Sequence, residues 1–171
     1  MKRTCLLAAL LLLVAGVTYA QKYAFVNTET VFKAIPEYNR VIEQLDEQAR
    51  QQQQEIDADY AQIAEMYDRY QYQKDNLSES GRKQVEDNII RLEKAAGEKQ
   101  KRYFGPEGEL MKKRLELLKP IQDRVFGRLD ALAQSRGYDM VVDISNNPSV
   151  VYYNKSLDLS RELMQALGIR E

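Results

Sequence analysis

The chain contains no histidine, no tryptophan and a single cysteine, Cys5. Without histidine there is no Cys/Ser–His nucleophile pair, and without a Cys/His cluster there is no zinc site. One cysteine makes no disulfide framework within the chain. Proline and glycine are also scarce where they would matter most. After Pro36 neither occurs until Gly81. Long apolar runs are absent except at the start, so no second segment reads as a membrane span.

That start reads as a leader. Lys2 and Arg3 precede the apolar run Leu6 to Val17, and Thr18-Tyr19-Ala20 places small residues ahead of Gln21. The pattern predicts a secretory signal over 1–20, cleaved after Ala20. An uncleaved anchor is the alternative, but the run is short for a span. Cys5 falls within the leader, so the mature chain has neither cysteine nor histidine. The expected product is exported and soluble outside the cytoplasm.

The mature chain carries 23 basic and 26 acidic residues, a net charge of −3. That balance argues against nucleic acid as a partner. The distribution is uneven. Glu37 to Glu79 holds 4 basic and 11 acidic residues, whereas Arg82 to Arg128 holds 13 basic and 8 acidic. Two segments of opposite sign and similar length complement each other if they fold back together.

Their periodicity says that they do. Ile42, Ala49, Ile56, Ile63, Tyr70 and Leu77 recur every seven residues, which is the coiled-coil signal. A second line, Leu45 and Met66, is interrupted by Gln52, Asp59 and Gln73, so the seam is narrow and wet. Pro36 breaks a preceding short helix or opens this one. Forty-odd helical residues reach roughly 60 Å, too long for this chain to enclose. Ser78 is a cap for a returning helix, and Gly81 weakens the tip, expected at 76–82. Ile89, Ala96, Tyr103, Leu110 and Leu117 form the return line. Gly105, Pro106 and Gly108 interrupt it, and Gly105-Pro106 is expected to kink or hinge the arm. After Pro120 the apolar line shifts by one, to Leu118, Val125 and Leu132.

The ends read as strand and short helix. Lys22 to Asn27 predicts a strand, and Thr28 an N-cap for a helix through Ile35. Gly137 is the expected C-cap of the return. Residues 138–144 and 150–153 then read as two strands joined by the turn Asn146-Asn147-Pro148. Ser156 is the expected cap of a last helix through Leu167, ended by Gly168. The class is α+β, mostly α: a long antiparallel helical hairpin, 37–117, on a small β-sheet body built from 21–36 and 118–171. Three short strands and two small helices make a poor core for one chain, so the body is expected to oligomerise. Phe25, Val26, Met140, Val142, Ile144, Val151 and Tyr153 are its candidate residues.

Several surface groups invite a functional reading. Tyr60, Met66, Tyr67 and Tyr72 crowd the outgoing helix, and such side chains give adaptable contact to varied partners. Tyr70 and Tyr103 lie on the seven-residue lines and read as packing. Lys99, Lys101 and Arg102, with Lys112, Lys113 and Arg114, form a basic cluster. It either attracts acidic partners or faces the acidic helix. Asp139 and Asp143 share a strand face without a pocket signal, and read as sheet-edge charges rather than acid–base groups. No catalytic, metal or cofactor residue is expected.

At the ends, "PIQDRV" (120–125), "GYDMVVDIS" (137–145), "VVYYN" (150–154) and "SLDLSRELMQALG" (156–168), with "YAFVNTETVF…IPEY" (23–38), closely resemble the Skp/OmpH family of periplasmic chaperones. The resemblance implies a homotrimer whose strands form a β-barrel core from which three helical tentacles hang. It implies an ATP-independent holdase that keeps unfolded outer-membrane proteins in the cavity between the arms. Peripheral contact with membrane lipid or lipopolysaccharide is a further implied partner. Here the chain departs from strongly basic members, being slightly acidic, and no lipid-binding residue carries over. From the residues alone, a structural coiled-coil spacer or subunit of an envelope assembly is the alternative. An enzyme is disfavoured by the inventory.

Overall fold

The computed structural model describes residues 21–169. The expected leader lies outside them. The chain divides into two compact units, one made of residues through Ala34 together with Phe126 onward, the other of Ile35–Val125.

The first unit is built around a strand that is paired on both sides. β1 (Tyr23–Val26) and β2 (Met140–Asp143) run parallel, with Tyr23 opposite Met140 and Val26 opposite Asp143. A parallel pair needs a long crossover, and here the whole helical hairpin supplies it. On its other side β1 meets Asp158, and the Leu159 amide donates to the Phe25 carbonyl at 2.8 Å. Helix α1 (Thr28–Lys33) packs against the last helix, α5 (Ser160–Ala166). Ala24, Val26, Val31, Leu159 and Leu163 are buried, giving a small core. Phe32 meets Phe126 edge-on at 6.0 Å.

Polar side chains tie these pieces together. The Asp143 carboxylate accepts from the Thr28 amide (3.2 Å) and hydroxyl (2.5 Å), and from the Ser145 amide (2.9 Å) and hydroxyl (2.8 Å). Burial pushes its pKa up, but the bonds from Thr28 and Ser145 outweigh that and hold it below the usual value. Asp139 likewise accepts from the Lys22 amide at 2.7 Å. Both carboxylates therefore anchor backbone, where sequence reasoning expected solubilising edge charges.

Three local expectations are corrected. Residues 150–153 form no strand. Asn146 adopts φ 54° and the Asn147 side chain accepts from the Ser149 amide, so the turn does not return the chain along β2. Val151 is 94% exposed, and only Tyr153 turns back, its ring tilted against Phe25 at 5.2 Å. The cap of α1 is Asn27, whose side chain accepts from the Thr30 amide at 2.9 Å; Thr28 is the first helical residue, and its hydroxyl serves Asp143. The helix stops at Lys33, not Ile35. Ser156 lies in a single 3-10 turn, Lys155–Leu157, and α5 starts only at Ser160, where Asp158 accepts from the Ser160 amide at 2.9 Å. Gly137 and Gly168 close their helices with φ of 65° and 76°, which glycine adopts without strain.

The second unit is a helical hairpin. α2 (Pro36–Gln73) opens with Pro36 in its first turn, where a missing N–H costs nothing. A 3-10 turn, Lys74–Asn76, leads to Ser78, whose hydroxyl accepts from the Gly81 amide and starts α3 (Glu79–Phe104). The chain then breaks over 105–108 and resumes as α4 (Glu109–Arg136), whose later turns belong to the first unit. Leu45, Gln52, Ile56 and Ile63 on α2, Ile89 and Ala96 on α3, and Leu118, Ile121 and Val125 on α4 are buried. Met66, Tyr70, Val85 and Leu92 close around the Ile63–Ile89–Ala96 cluster. Pro120 is accommodated inside α4.

Candidate functional site

The hairpin register is fixed by polar pairs that bridge the two helices: Tyr70 with Glu86, Asp59 with Lys99, Glu55 with Tyr103 (2.7 Å) and Glu37 with Arg124 (2.6 Å). Two of the four, Asp59 with Lys99 and Glu37 with Arg124, join the acidic outgoing helix to the basic return. Between the Glu55–Tyr103 and Glu37–Arg124 pairs the outgoing helix advances eighteen residues, from 37 to 55, while the return advances twenty-one, from 103 to 124. The break over 105–108 lies within that extra length. Across it the buried line moves one position in the seven-residue frame, from Ile89 and Ala96 to Leu118 and Val125.

The break is well defined. The Gly105 amide donates to Lys101 (2.8 Å), Gly108 to Gly105 (2.8 Å) and Lys112 to Gly108 (3.0 Å). A methyl group on Gly105 would lie 2.3 Å from the Lys101 carbonyl oxygen, and one on Gly108 would lie 2.6 Å from that of Tyr103. Both positions need glycine for close backbone approach. Pro106 sits between them, where no helical hydrogen bond is lost. An open cavity of about 620 Å³ lies at the break, with Lys101, Arg102 and Lys112 facing Glu98, Glu107 and Glu109. Its mixed charges prescribe no single ligand.

The sequence-derived candidates have different surroundings. Tyr60 and Tyr67 are exposed, and Tyr72, in the last turn of α2, is 91% exposed. Met66 is drawn into the hairpin cluster. Lys99 pairs with Asp59, and that hydrogen bond raises its pKa more than desolvation lowers it. Lys101 is exposed. Arg102 lies over the Tyr103 ring at 5.0 Å and near Glu109 at 3.5 Å. Tyr70 and Tyr103 are half-buried on the seam edge; the Glu86 carboxylate raises the pKa of the Tyr70 phenol. In the first unit, Val26 is buried, Phe25, Val142, Ile144 and Tyr153 are half-buried, and Met140 and Val151 are exposed.

One apolar row escaped sequence reasoning. Ile90, Gly97, Phe104, Met111, Leu118 and Val125 recur every seven residues, one position beyond the return line first recognised. Its proximal members are buried, but Ile90, Phe104 and Met111 are exposed, as is nearby Leu115. The repeat itself was the available signal; the shift at the break hid its continuity.

Among the described residues no cluster of acidic, histidine or cysteine side chains is placed to hold a metal ion, and no helix is long and apolar enough to cross a membrane. Comparison with known proteins places the chain. The family model "Outer membrane protein (OmpH-like)" matches residues 22–167, so the chain belongs to the OmpH-like family, a family of chaperones rather than enzymes. It is 22% identical over 146 residues to the chaperone protein Skp of Yersinia enterocolitica, covering 85% of each chain. An OmpH-like outer membrane chaperone from Caulobacter crescentus CB15 shares the fold, with a TM-score of 0.64 at 11% identity over 88% of this chain and 86% of that one.

Proposed function

We propose that this chain is a periplasmic, ATP-independent holdase that binds unfolded outer-membrane proteins before their insertion. The observation that carries this reading is the OmpH-like match over nearly the whole described chain. Such a protein works by shape and many weak contacts. It needs surfaces that adapt to unlike partners, as exposed Tyr60, Tyr67 and Tyr72 would. Lys99, Lys101, Arg102 and Met66 border the same hairpin and belong to the candidate surface, with Gly105-Pro106 setting its bend.

The working unit is a homotrimer. One chain leaves its sheet incomplete: β2 pairs on one edge with β1, while Val151 and Tyr152 lie exposed and uncommitted. A free edge beside an apolar, unpaired segment calls for strand addition from another copy. Phe25, Val26, Met140, Val142, Ile144, Val151 and Tyr153 would then line a shared β-body, with client held between the arms. Contact with lipid or lipopolysaccharide would be peripheral to this role.

The test is dilution of a urea-denatured outer-membrane β-barrel into buffer with the mature chain, followed by light scattering. Suppression of aggregation without nucleotide, at about one trimer per client, is expected. No suppression at any ratio would leave the structural coiled-coil spacer as the better account.

A further inference from the structure

The first strand is fastened at its very start. The Lys22 amide donates to the Asp139 carboxylate at 2.7 Å, and the Lys22 carbonyl accepts from the Asp139 amide at 2.9 Å. The Lys22 ammonium donates to the Arg136 carbonyl at 2.8 Å and lies 5.0 Å from the centre of the Tyr138 ring. The backbone is therefore held from Lys22 onward, and Gln21 overhangs it as an exposed residue. Gln21 and Tyr23 are two positions apart on extended backbone, so their side chains share a face. The Tyr23 hydroxyl donates to Oε1, the side-chain carbonyl oxygen of Gln21.

Gln21 is also the residue that the leader pattern puts first. Thr18-Tyr19-Ala20 predicts cleavage after Ala20, which frees the Gln21 α-amine. A terminal glutamine carries a carboxamide carbon that its own α-nitrogen reaches in a five-membered ring. At neutral pH an α-amino group is uncharged and nucleophilic for roughly a tenth of the time. Placing nucleophile and carbonyl on one residue replaces a bimolecular encounter by an intramolecular one. The Lys22 clamp already fixes the backbone on the far side, so only the bonds of an exposed residue have to turn.

We propose that Gln21 is a modification site, where the exported chain closes its N-terminus to a pyroglutamyl lactam with Tyr23 as a positioning residue. This rests on cleavage of the leader and is independent of the holdase reading. The α-nitrogen adds to Cδ, the Cδ–Nε2 bond breaks, and Nε2 leaves as ammonia with one proton from the α-nitrogen. No oxidant, reductant or second substrate enters. Negative charge builds on Oε1 as the nitrogen adds, and a donor placed at that atom lowers the barrier. The Tyr23 hydroxyl is such a donor. The lactam is neutral, so it removes an ammonium next in sequence to that of Lys22. It also denies an aminopeptidase the free amine by which it grips a chain. Trimming one residue beyond Gln21 would remove Lys22, and with it both links to Asp139 and the link to Arg136.

The experiment exports the full chain with its own leader, purifies it promptly and follows it in warm neutral buffer by intact mass and tandem mass spectrometry of the N-terminal peptide. The chain should start at Gln21 and become lighter by one ammonia, with the loss mapped to that residue. Tyr23→Phe should cyclise about fivefold more slowly, the rate equivalent of one ordinary hydrogen bond. Tyr23 is exposed, so this variant keeps the fold. In urea the two chains should react at one common rate, because the phenol is then no longer held beside Oε1. A chain that starts at Gln21 and keeps its amine throughout would overturn the proposal and leave the leader standing. A chain that starts at another residue would overturn both. Equal rates for folded wild type and Tyr23→Phe would overturn the role given to the phenol.

Discussion

The two units of this chain are stabilised in different ways. In the sheet unit, residues far apart in sequence converge on a strand bounded on both sides, and Val31 and Leu163 lose all contact with solvent. In the hairpin, contacts follow a line about one residue wide, interrupted by polar groups. A dense small core concentrates stability in a few side chains; a long narrow seam spreads it thinly. The same narrowness leaves much of the helical surface free to meet other molecules.

The largest expected effect lies in the sheet unit. Leu163→Ala should cost about 3 kcal/mol, read as a lower denaturant midpoint, because its neighbours have little freedom to collapse into the space. A loss no greater than that of an exposed position such as Leu115→Ala would erase the contrast between the units. Next comes Asp143→Ala, which removes two hydrogen bonds joining β2 to Thr28 at the start of α1 and two more from Ser145; with partial solvent access, a cost of about 1–2 kcal/mol is expected. Its pH dependence follows from the lowered pKa. The folded value lies below the unfolded one, so the contribution is present above the ordinary carboxylate value of 3.8 and fades as pH falls through the folded value. Asp143→Ala should therefore lose part of the wild-type stability slope below about pH 4. An unchanged acid titration would remove Asp143 as an anchor.

The narrow seam makes the opposite prediction. Gln52 is buried at a position continuing the Leu45 line, and its Oε1 has no partner in the structure. Gln52→Leu should therefore stabilise the hairpin by about 1 kcal/mol. Destabilisation would mean that the amide is satisfied by water and the seam is wetter still. The smallest effect is expected at the rim. Lys99→Met breaks a partly exposed pair with Asp59 and should shift the melting temperature by little more than the error, with even that shift shrinking in high salt.

What could be read in the sequence follows the same division. Pro36, Ser78, Gly137 and Gly168 mark helix ends through chemistry contained in a few neighbouring residues, and each stands where local reasoning put it. The seven-residue repeat likewise announced the hairpin. What escaped depends on distant partners. Asn27 rather than Thr28 caps α1 because Asp143, over a hundred residues away, engages the Thr28 hydroxyl. Val150 to Tyr153 has strand composition, but the turn at Asn146 and Asn147 does not bring it back to the free edge of β2. The row through Ile90 was hidden by a break whose register only the cross-hairpin pairs reveal. Of the candidate surface, the exposed tyrosines were visible by composition; the uncovered face of α3 needed the packing.

The measurement that bears most directly on the account is the mass of the chain lacking residues 1–20, by light scattering at micromolar concentration, alone and with a denatured outer-membrane β-barrel. Three chains per particle, rising by the mass of one client, are expected. A monomer or dimer that stays so in the presence of client would contradict the shared β-body and leave no cavity between arms.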